Sequence, residues 1–474
     1  MHILNEFIEK INKENLKVVV VGDCMYDDYY QVEANRISPE FPIAVMKSED
    51  ENPTYRYPGG AANVAFQLSN FNVDTYLVSL LECWSNPFFE EYDINAAFSY
   101  FSNEIKLPVK KRLYNGDFPL CRWDIEKENY GLPDDKLWDI QKSILENVKN
   151  LQPDVVILSD YGKGIFKNVS GKSSVNGNYS KEMWIFDVDT GEKRPWITVV
   201  DPKNDDLIEW EGCTVFKPNV SEAKKLTGKT DDFEQVKHIK KVLNCESVVV
   251  THGGDKVVGM DKKEWMFYGG HKGEAKYPIG AGDCFIAMLS VAYLLFEPQK
   301  AAEIAFELGA IYVNTKNRRI NPNNILGNNS KIKTPEEIRK EILNCSGETF
   351  AICNGVYDII HSGHMELLKF AKSKADKVIV ALNDDDSVKR LKGPTRPKKP
   401  LEQRMKVMEC LESVDYVTSF SEDTPLEIIK IIKPDCIVKG TDYKKEDVVG
   451  YEEVKGHVYL CPLFDNQSTS LYVN

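Results

Sequence analysis

YPIGAGDCFIAML, residues 277–289, sets three small residues ahead of an acidic one at the start of an apolar helix. Gly280, Ala281 and Gly282 let backbone N–H groups close on an anion, and the helix N-terminus adds positive potential there. Asp283, in the first turn, faces the same spot and can accept a proton from an attacking hydroxyl. Phosphoryl transfer needs this pairing: donors for charge growing on phosphate, and a base that aligns the nucleophile. Alone, the stretch reads equally well as a glycine-softened turn with an ordinary first-turn aspartate. Its surroundings decide.

Upstream lie five short apolar runs: LKVVVVGD (16–23), PDVVILSDYGKG (153–164), ITVVDPK (197–203), CTVFKPN (213–219) and SVVVTHGG (247–254). Each ends in polar and small residues, as buried parallel strands do, and ligands bind at such carboxyl ends in open α/β sheets. GGAANVAFQL (59–68) is a second glycine pair opening a helix, where Gly59, Gly60 and Asn63 can meet a polyol. KPNVSEAKKL (217–226) places Asn219 and Glu222 three apart, suited to Mg²⁺–ATP. Asp23, Asp27 and Asp28 in GDCMYDDYY (22–30) suit hydroxyls, and Lys163 in DYGKG offers a compact charge for a phosphate. The segment 166–195, between two strands, lacks helical periodicity and reads as a loop or hairpin.

These motifs, in this order over roughly residues 15–320, resemble the ribokinase-like (phosphofructokinase-B type) sugar kinases. RISPEFPIAV (36–45), PGGAANVA (58–65), SDYGKG (159–164) and DPK (201–203) are most similar to the heptose-phosphate branch. The resemblance implies Asp283 as catalytic base and Gly280, Ala281 and Gly282 as anion hole. It puts ATP and Mg²⁺ at Asn219, Val220, Ser221 and Glu222, with Asn219 and Glu222 reaching the metal. It implies a small β-lid, joined by RISPEFPIAV, that also makes a homodimer contact. Two departures stand out: Tyr277 and Ile279 occupy places where this family usually has Asp and Thr.

After an Asn-, Gly- and Pro-rich stretch that becomes a short charged helix (321–347), read as a linker, the strand–helix rhythm restarts. ETFAICNG (348–355), DKVIVALNDD (376–385), DYVTSF (415–420) and DCIVKGTDY (435–443) predict a second, smaller α/β domain over 348–474, after a first over 1–320. CNGVYDIIHSGH (353–364) brings His361 and His364 together. A zinc site needs a third protein ligand, and this domain offers only one further histidine, His457, and no suitably spaced cysteine. Helix capping is the plain structural reading. Phosphate handling at a strand–loop–helix junction is the third, since two imidazoles at a helix N-terminus can donate to phosphate oxygens as charge builds. The basic run RLKGPTRPKKPLEQR (390–404), with Lys392, Arg396 and Arg404, favours that third reading.

This half resembles the cytidylyltransferase-type nucleotidyltransferases, with GVYDIIHSGH carrying Tyr357 where Phe is usual. It is most similar to the adenylyltransferase half of the bacterial bifunctional heptose-phosphate enzymes, through NDDDSVKRLKG, RPKKPLEQR, SFSEDTP, KPDCIVKGTDY and STS (468–470). The resemblance implies His361 and His364 as catalytic residues in a Rossmann-like fold. It places the nucleotide on Asn354, Gly355, Tyr357, Asp358, Lys392, Arg404, Lys439, Asp442, Ser468 and Thr469. The chain stops at LYVN, without the basic residues this family carries there.

Composition agrees with a two-domain enzyme of small anionic substrates. The 474 residues are 42% hydrophobic and 28% charged, with a net charge of −13, which argues against a nucleic-acid binder. The N-terminus reads as a short amphipathic helix without a signal-peptide core, and no window approaches the roughly 18 apolar residues of a membrane span. Eleven scattered cysteines without a CxxC pair suggest a reduced, cytoplasmic setting. Taken together, the two resemblances imply phosphorylation of heptose 7-phosphate at C1 by ATP, then adenylyl transfer to heptose 1-phosphate. The same chemistry on another sugar phosphate or with CTP, or a weakened regulatory homologue, is the alternative.

Overall fold

Val18, Val19, Val20 and Val21 are all fully buried, because their strand, Leu16–Gly22, runs through a parallel sheet. Each such side chain contributes about 1.5–3 kcal/mol through burial. The computed structural model describes every residue except 1, 49, 117, 168–180, 188–189, 204–206, 270–276, 316–318, 326–329, 346–347, 441–443 and 463–474. The chain divides into two units, Met1–Leu326 and Gly327–Asn474.

In the first unit the main sheet has the order Glu264–Tyr268, Lys256–Met260, Ser247–Thr251, Val215–Phe216, Ile197–Asp201, Val155–Ser159, Leu16–Gly22, Val73–Val78. Its first three strands pair antiparallel in succession, and from Ser247–Thr251 onward every pairing is parallel. All five runs read from the sequence lie in it. The chain leaves Leu16–Gly22 in both directions, so Asp23 and the 159–165 loop sit at the switch point where ligands bind. The helix Ala281–Leu295 is apolar on nearly every side, and residues 283–292 are all buried. The amphipathic N-terminal helix, His2–Ile11, buries Leu4, Phe7, Ile8 and Ile11.

A second sheet forms the lid, in the order Phe118–Ile125, Val109–Asn115, Cys24–Gln31, Tyr55–Gly60. Arg112 pairs with Asp27 at 2.6 Å and Arg56 with Asp28 at 2.6 Å, both inside this sheet. The RISPEFPIAV segment does not join it. Instead it closes a separate exposed ribbon, Glu33–Ile37 with Ala44–Lys47. Of the 166–195 segment, the described residues hold only the short turn Glu182–Trp184 and a bridge from Phe186 to Lys193.

The second unit carries five parallel strands in the order Tyr416–Phe420, Lys377–Asn383, Phe350–Gly355, Cys436–Gly440, Val458–Cys461. This is a Rossmann-like sheet with its switch point between Phe350–Gly355 and Cys436–Gly440. Helix Pro335–Asn344, opened by a Thr334–Glu337 capping box, buries Ile338 in the second core, while Ile325 belongs to the first core. Among the described residues no helix is long and apolar enough to cross a membrane.

Candidate active sites

Gly280 caps the helix of Asp283 at φ 87°, a left-handed conformation, and a methyl group there would collide with the Tyr312 hydroxyl and the Asn63 amide. The helix ladder starts where the Cys284 N–H bonds the Gly280 carbonyl at 2.9 Å, so the N–H groups just before it face the loop rather than a helical partner. Asp283 itself is buried. Its Oδ2 accepts from Asn63 Nδ2 at 2.6 Å and its Oδ1 accepts from the Tyr161 hydroxyl. Burial pushes this carboxyl up to about 6, and the donors Tyr161 and Asn63 limit the rise because they favour the ionised form.

Asp27, Asn63 and Ile279 share a pocket of about 20 Å³ with Tyr57, Pro58, Phe66 and Tyr312. It holds one hydroxyl-sized group, and Gly59 lies directly against Asp27. The structure thus joins Asp27, Gly59, Asn63 and Asp283, and puts the unusual Ile279 beside them. Lys163 is elsewhere: it pairs with Glu126 and lines a separate cavity of about 600 Å³ with Asp160, Gly162 and Phe166. Gly60, at φ 63°, gives its close approach to the Asp23 carbonyl rather than to an open pocket. Asp23 and Asp28, read as hydroxyl ligands, are fully buried and committed inside the protein. Asp28 holds Arg56, and Asp23 takes the N–H groups of Tyr161, Lys163 and Ile165 and the Tyr130 hydroxyl.

Asn219 and Glu222 hold each other. Asn219 Oδ1 accepts from the Glu222 N–H at 2.9 Å and Glu222 Oε2 from the Asn219 N–H at 2.8 Å, a capping box for the helix Val220–Thr227. The other Glu222 oxygen meets Lys203 at 2.5 Å. Their spacing therefore serves the helix first. Val220 is half-buried and Ser221 exposed on its first turn. Beside them, Thr251, Gly253, Gly254, Ala281, Gly282, Phe285, Phe306 and Val313 line a mainly apolar cavity of about 250 Å³ that reaches the glycine turn. Asn219 bridges to Thr251 at its edge.

In the second unit, the strand Phe350–Gly355 delivers Asn354 and Gly355 to the switch point. His361 and His364 open the helix Ser362–Lys372, with stacked rings 3.9 Å apart. The His361 N–H donates to His364 Nδ1 over 3.4 Å, which leaves the His364 proton on Nε2. Burial, with the His361 charge behind it, pushes His364 down to about 4, and burial lowers His361 as well. Both are neutral donors at pH 7. Tyr357, at φ 48°, lies 5.0 Å from the His364 ring, and its buried hydroxyl finds no hydrogen-bond partner among the described residues. Lys439, at the end of the neighbouring strand, donates to the Asn354 carbonyl at 3.3 Å, and burial pushes its ammonium down to about 8.

Two residues read as nucleotide ligands turn out to build the site. Arg404 is buried and bonds the carbonyls of Lys399, Val356 and Asn383 and the Asp385 carboxylate, at 2.7–3.0 Å. Asp358 takes Arg396 at 2.6 Å and the N–H groups of Lys398 and Lys399. Burial would raise its carboxyl, but these donors outweigh it and hold Asp358 below the usual range. Arg396 is thereby taken by Asp358, while Lys392 is exposed in the last turn of its helix. Asp442, Ser468 and Thr469 lie outside the described residues.

A family model described as pfkB family carbohydrate kinase matches residues 193–324, and one described as cytidylyltransferase-like matches 352–464. A Hahella chejuensis protein named bifunctional protein HldE is 32% identical over 97% of this chain and 96% of its own length. The chain belongs to the HldE family. A Proteus mirabilis HldE is 31% identical over 98% of this chain and 97% of its own. Arabidopsis thaliana ribokinase, solved with ribose and ATP, aligns at TM-score 0.45 and 18% identity, covering 64% of this chain and 94% of that one. As an HldE-family chain, it joins a ribokinase-like sugar kinase fold to a cytidylyltransferase-like one, as the motifs predict.

Within this HldE-family kinase unit, the sequence reading passed over Tyr161, Lys217 and Lys203. Lys217, buried and paired with Asp201 at 2.9 Å, ends 3.9 Å from where a Gly282 side chain would begin. The signal was present: DPK and KPN end adjacent parallel strands, where polar residues gather.

Proposed function

We propose that the protein performs two steps of ADP-heptose synthesis. The support is that the HldE likeness spans both units, each with its own reactive group at a switch point. In the kinase unit, Asp283 accepts the proton of the 1-hydroxyl of heptose 7-phosphate as that oxygen attacks the γ-phosphorus of ATP. The bond to the β-phosphate oxygen breaks, giving heptose 1,7-bisphosphate and ADP. N–H groups of the turn Gly280, Ala281 and Gly282 meet the growing charge. Asp27 and Asn63 orient the sugar, and the apolar cavity beside Gly282 takes the adenine. Asn219 Oδ1 and both carboxylate oxygens of Glu222 already accept bonds within the fold, so these two residues would reach an ATP-borne Mg²⁺ only through water. When bound, that ion neutralises phosphate charge.

A separate phosphatase activity removes the 7-phosphate. In the second unit, a phosphate oxygen of heptose 1-phosphate attacks the α-phosphorus of a second ATP, and pyrophosphate leaves. His361 and His364 donate to the phosphate oxygens, and Lys439 adds charge beside Asn354. Lys392 completes the triphosphate contacts from the surface.

The exposed lid face carries Phe118, Trp123 and Ile125, with Phe41 and Ile43 on the ribbon. Apolar surface of this kind supports a homodimer through the kinase unit, in a cytoplasmic enzyme. Trp123→Glu is expected to yield monomers in sedimentation; an unchanged mass refutes the lid contact. For the reaction, the purified chain is incubated with heptose 7-phosphate and ATP, and separately with heptose 1-phosphate and ATP or CTP, and the products are weighed by mass spectrometry. No turnover of heptose 7-phosphate defeats the kinase assignment, and CTP preference reassigns the transferase. Ile279 beside the base favours one rival, a weakened regulatory homologue, which predicts sugar binding without turnover.

A further inference from the structure

Asp283 is clamped by two donors, and only Asn63 belongs to the sugar pocket. The other, Tyr161, is fastened on three sides. Its backbone N–H bonds Asp23 Oδ2 at 2.9 Å, and its ring lies 5.4 Å from both the Lys110 and the Lys203 ammonium groups. Its hydroxyl meets Asp283 Oδ1. We propose that Tyr161 is a positioning residue for the kinase reaction: its hydroxyl fixes the Asp283 carboxylate so that one remaining lone pair faces the acceptor hydroxyl.

This rests on the kinase reading of Asp283. Asn63 cannot do the work alone, because Gln67 Nε2 holds its Oδ1 at 3.0 Å and so fixes only the Oδ2 side of the carboxylate. Nor is the hydroxyl needed to build the loop. Asp23 already secures that loop through the backbone N–H groups of Tyr161, Lys163 and Ile165, which any residue at 161 would supply. The titratable groups around Asp283 are the neutral Tyr161 hydroxyl, Lys110 and Asp27 on the lid strands, Lys203, and the Lys217–Asp201 pair, whose charges offset each other. With apolar Ile279 alongside, a carboxylate lacking the tyrosine donor retains its proton to higher pH.

The test is Tyr161→Phe in the full chain, which removes one oxygen from a half-buried ring. Two quantities are followed: kinase kcat/KM against pH with heptose 7-phosphate and ATP, and the Asp283 carboxyl titration in the free protein by ¹³C NMR, assigned with Asp283→Asn. Both the acid limb and the titration are expected to move up by about one pH unit, so activity at pH 6 drops about fivefold more than at pH 8. Melting temperature falls by no more than a few degrees, the loss of about 1.4 kcal/mol that a one-unit shift implies at neutral pH, and adenylyl transfer stays at its wild-type value. If limb and titration remain in place, the proposal is overturned, whatever the rate. If wild type fails to turn over heptose 7-phosphate, the substrate reading falls, while the titration still decides the role of Tyr161.

Discussion

Asp283 and His364 occupy equivalent places in two unrelated sheets, each in the first turn of a helix at a switch point, and burial acts on them in chemically opposite ways. The carboxyl is pushed up to about 6 yet stays largely ionised at pH 7, because Tyr161 and Asn63 donate to it. The imidazole is pushed down to about 4, because its neighbours, His361 and Tyr357, bring no negative charge. The kinase unit carries the partners of its carboxyl within the fold. The imidazoles of the transferase unit gain no such charged partner from their ring neighbours, which suits the proposed contact with phosphate oxygens.

The comparison breaks most visibly at the reactive groups. Asp283→Asn should lower kinase kcat by about 10²–10⁴-fold while adenylyl transfer continues, and His364→Ala should do the reverse. Equal loss of both activities in either variant would refute two separate sites. Next in size is Arg404→Met, which strands the buried carbonyls of Val356 and Asn383 and should destabilise the second unit by roughly 3 kcal/mol in denaturant melts. Lys392→Met, at an exposed position, should shift it by less than about 0.5 kcal/mol. An Arg404 variant with normal stability but a raised KM for ATP would restore Arg404 as a ligand.

Acid separates the sites more gently. A carboxylate base works only when ionised, so taking pH from 7.5 to 5.5 through a value near 6 should cut kinase kcat/KM about fourfold. His364 is neutral throughout that window and imposes no such loss on transfer; ATP, being anionic, should instead raise its titration, measurable by ¹⁵N NMR. A transferase acid limb near 6 that disappears in His364→Ala would contradict the neutral donor. The smallest effect belongs to Tyr357→Phe. Removing a buried hydroxyl that has no partner among the described residues should stabilise the second unit by about 1 kcal/mol and leave transfer within about twofold of wild type.

Much of this was legible in local patterns. Valine-rich runs ending in polar residues gave away the parallel strands, and GAGD and HSGH marked two helix starts. The lid strands were harder. Phe118–Ile125 is exposed along its whole length, so no buried face disciplines its pattern into alternation. Arg404 misled for the opposite reason: an arginine in a basic run looks solvated until three chain segments close around it.

What the sequence determined by itself is chemistry carried by neighbouring residues: two α/β halves, a carboxyl behind a glycine turn, and paired histidines at a helix start. Those depend on spacings of a few residues, which the chain enforces wherever it folds. Tertiary structure alone decided which polar groups are free to act. Asp23, Asp28, Asp358 and Arg404 are spent on internal bonds, while Tyr161, 122 residues from Asp283, reaches it across the switch point. A buried charge must be paired or hydrogen-bonded, and which partner satisfies it depends on distances that only the closed fold sets.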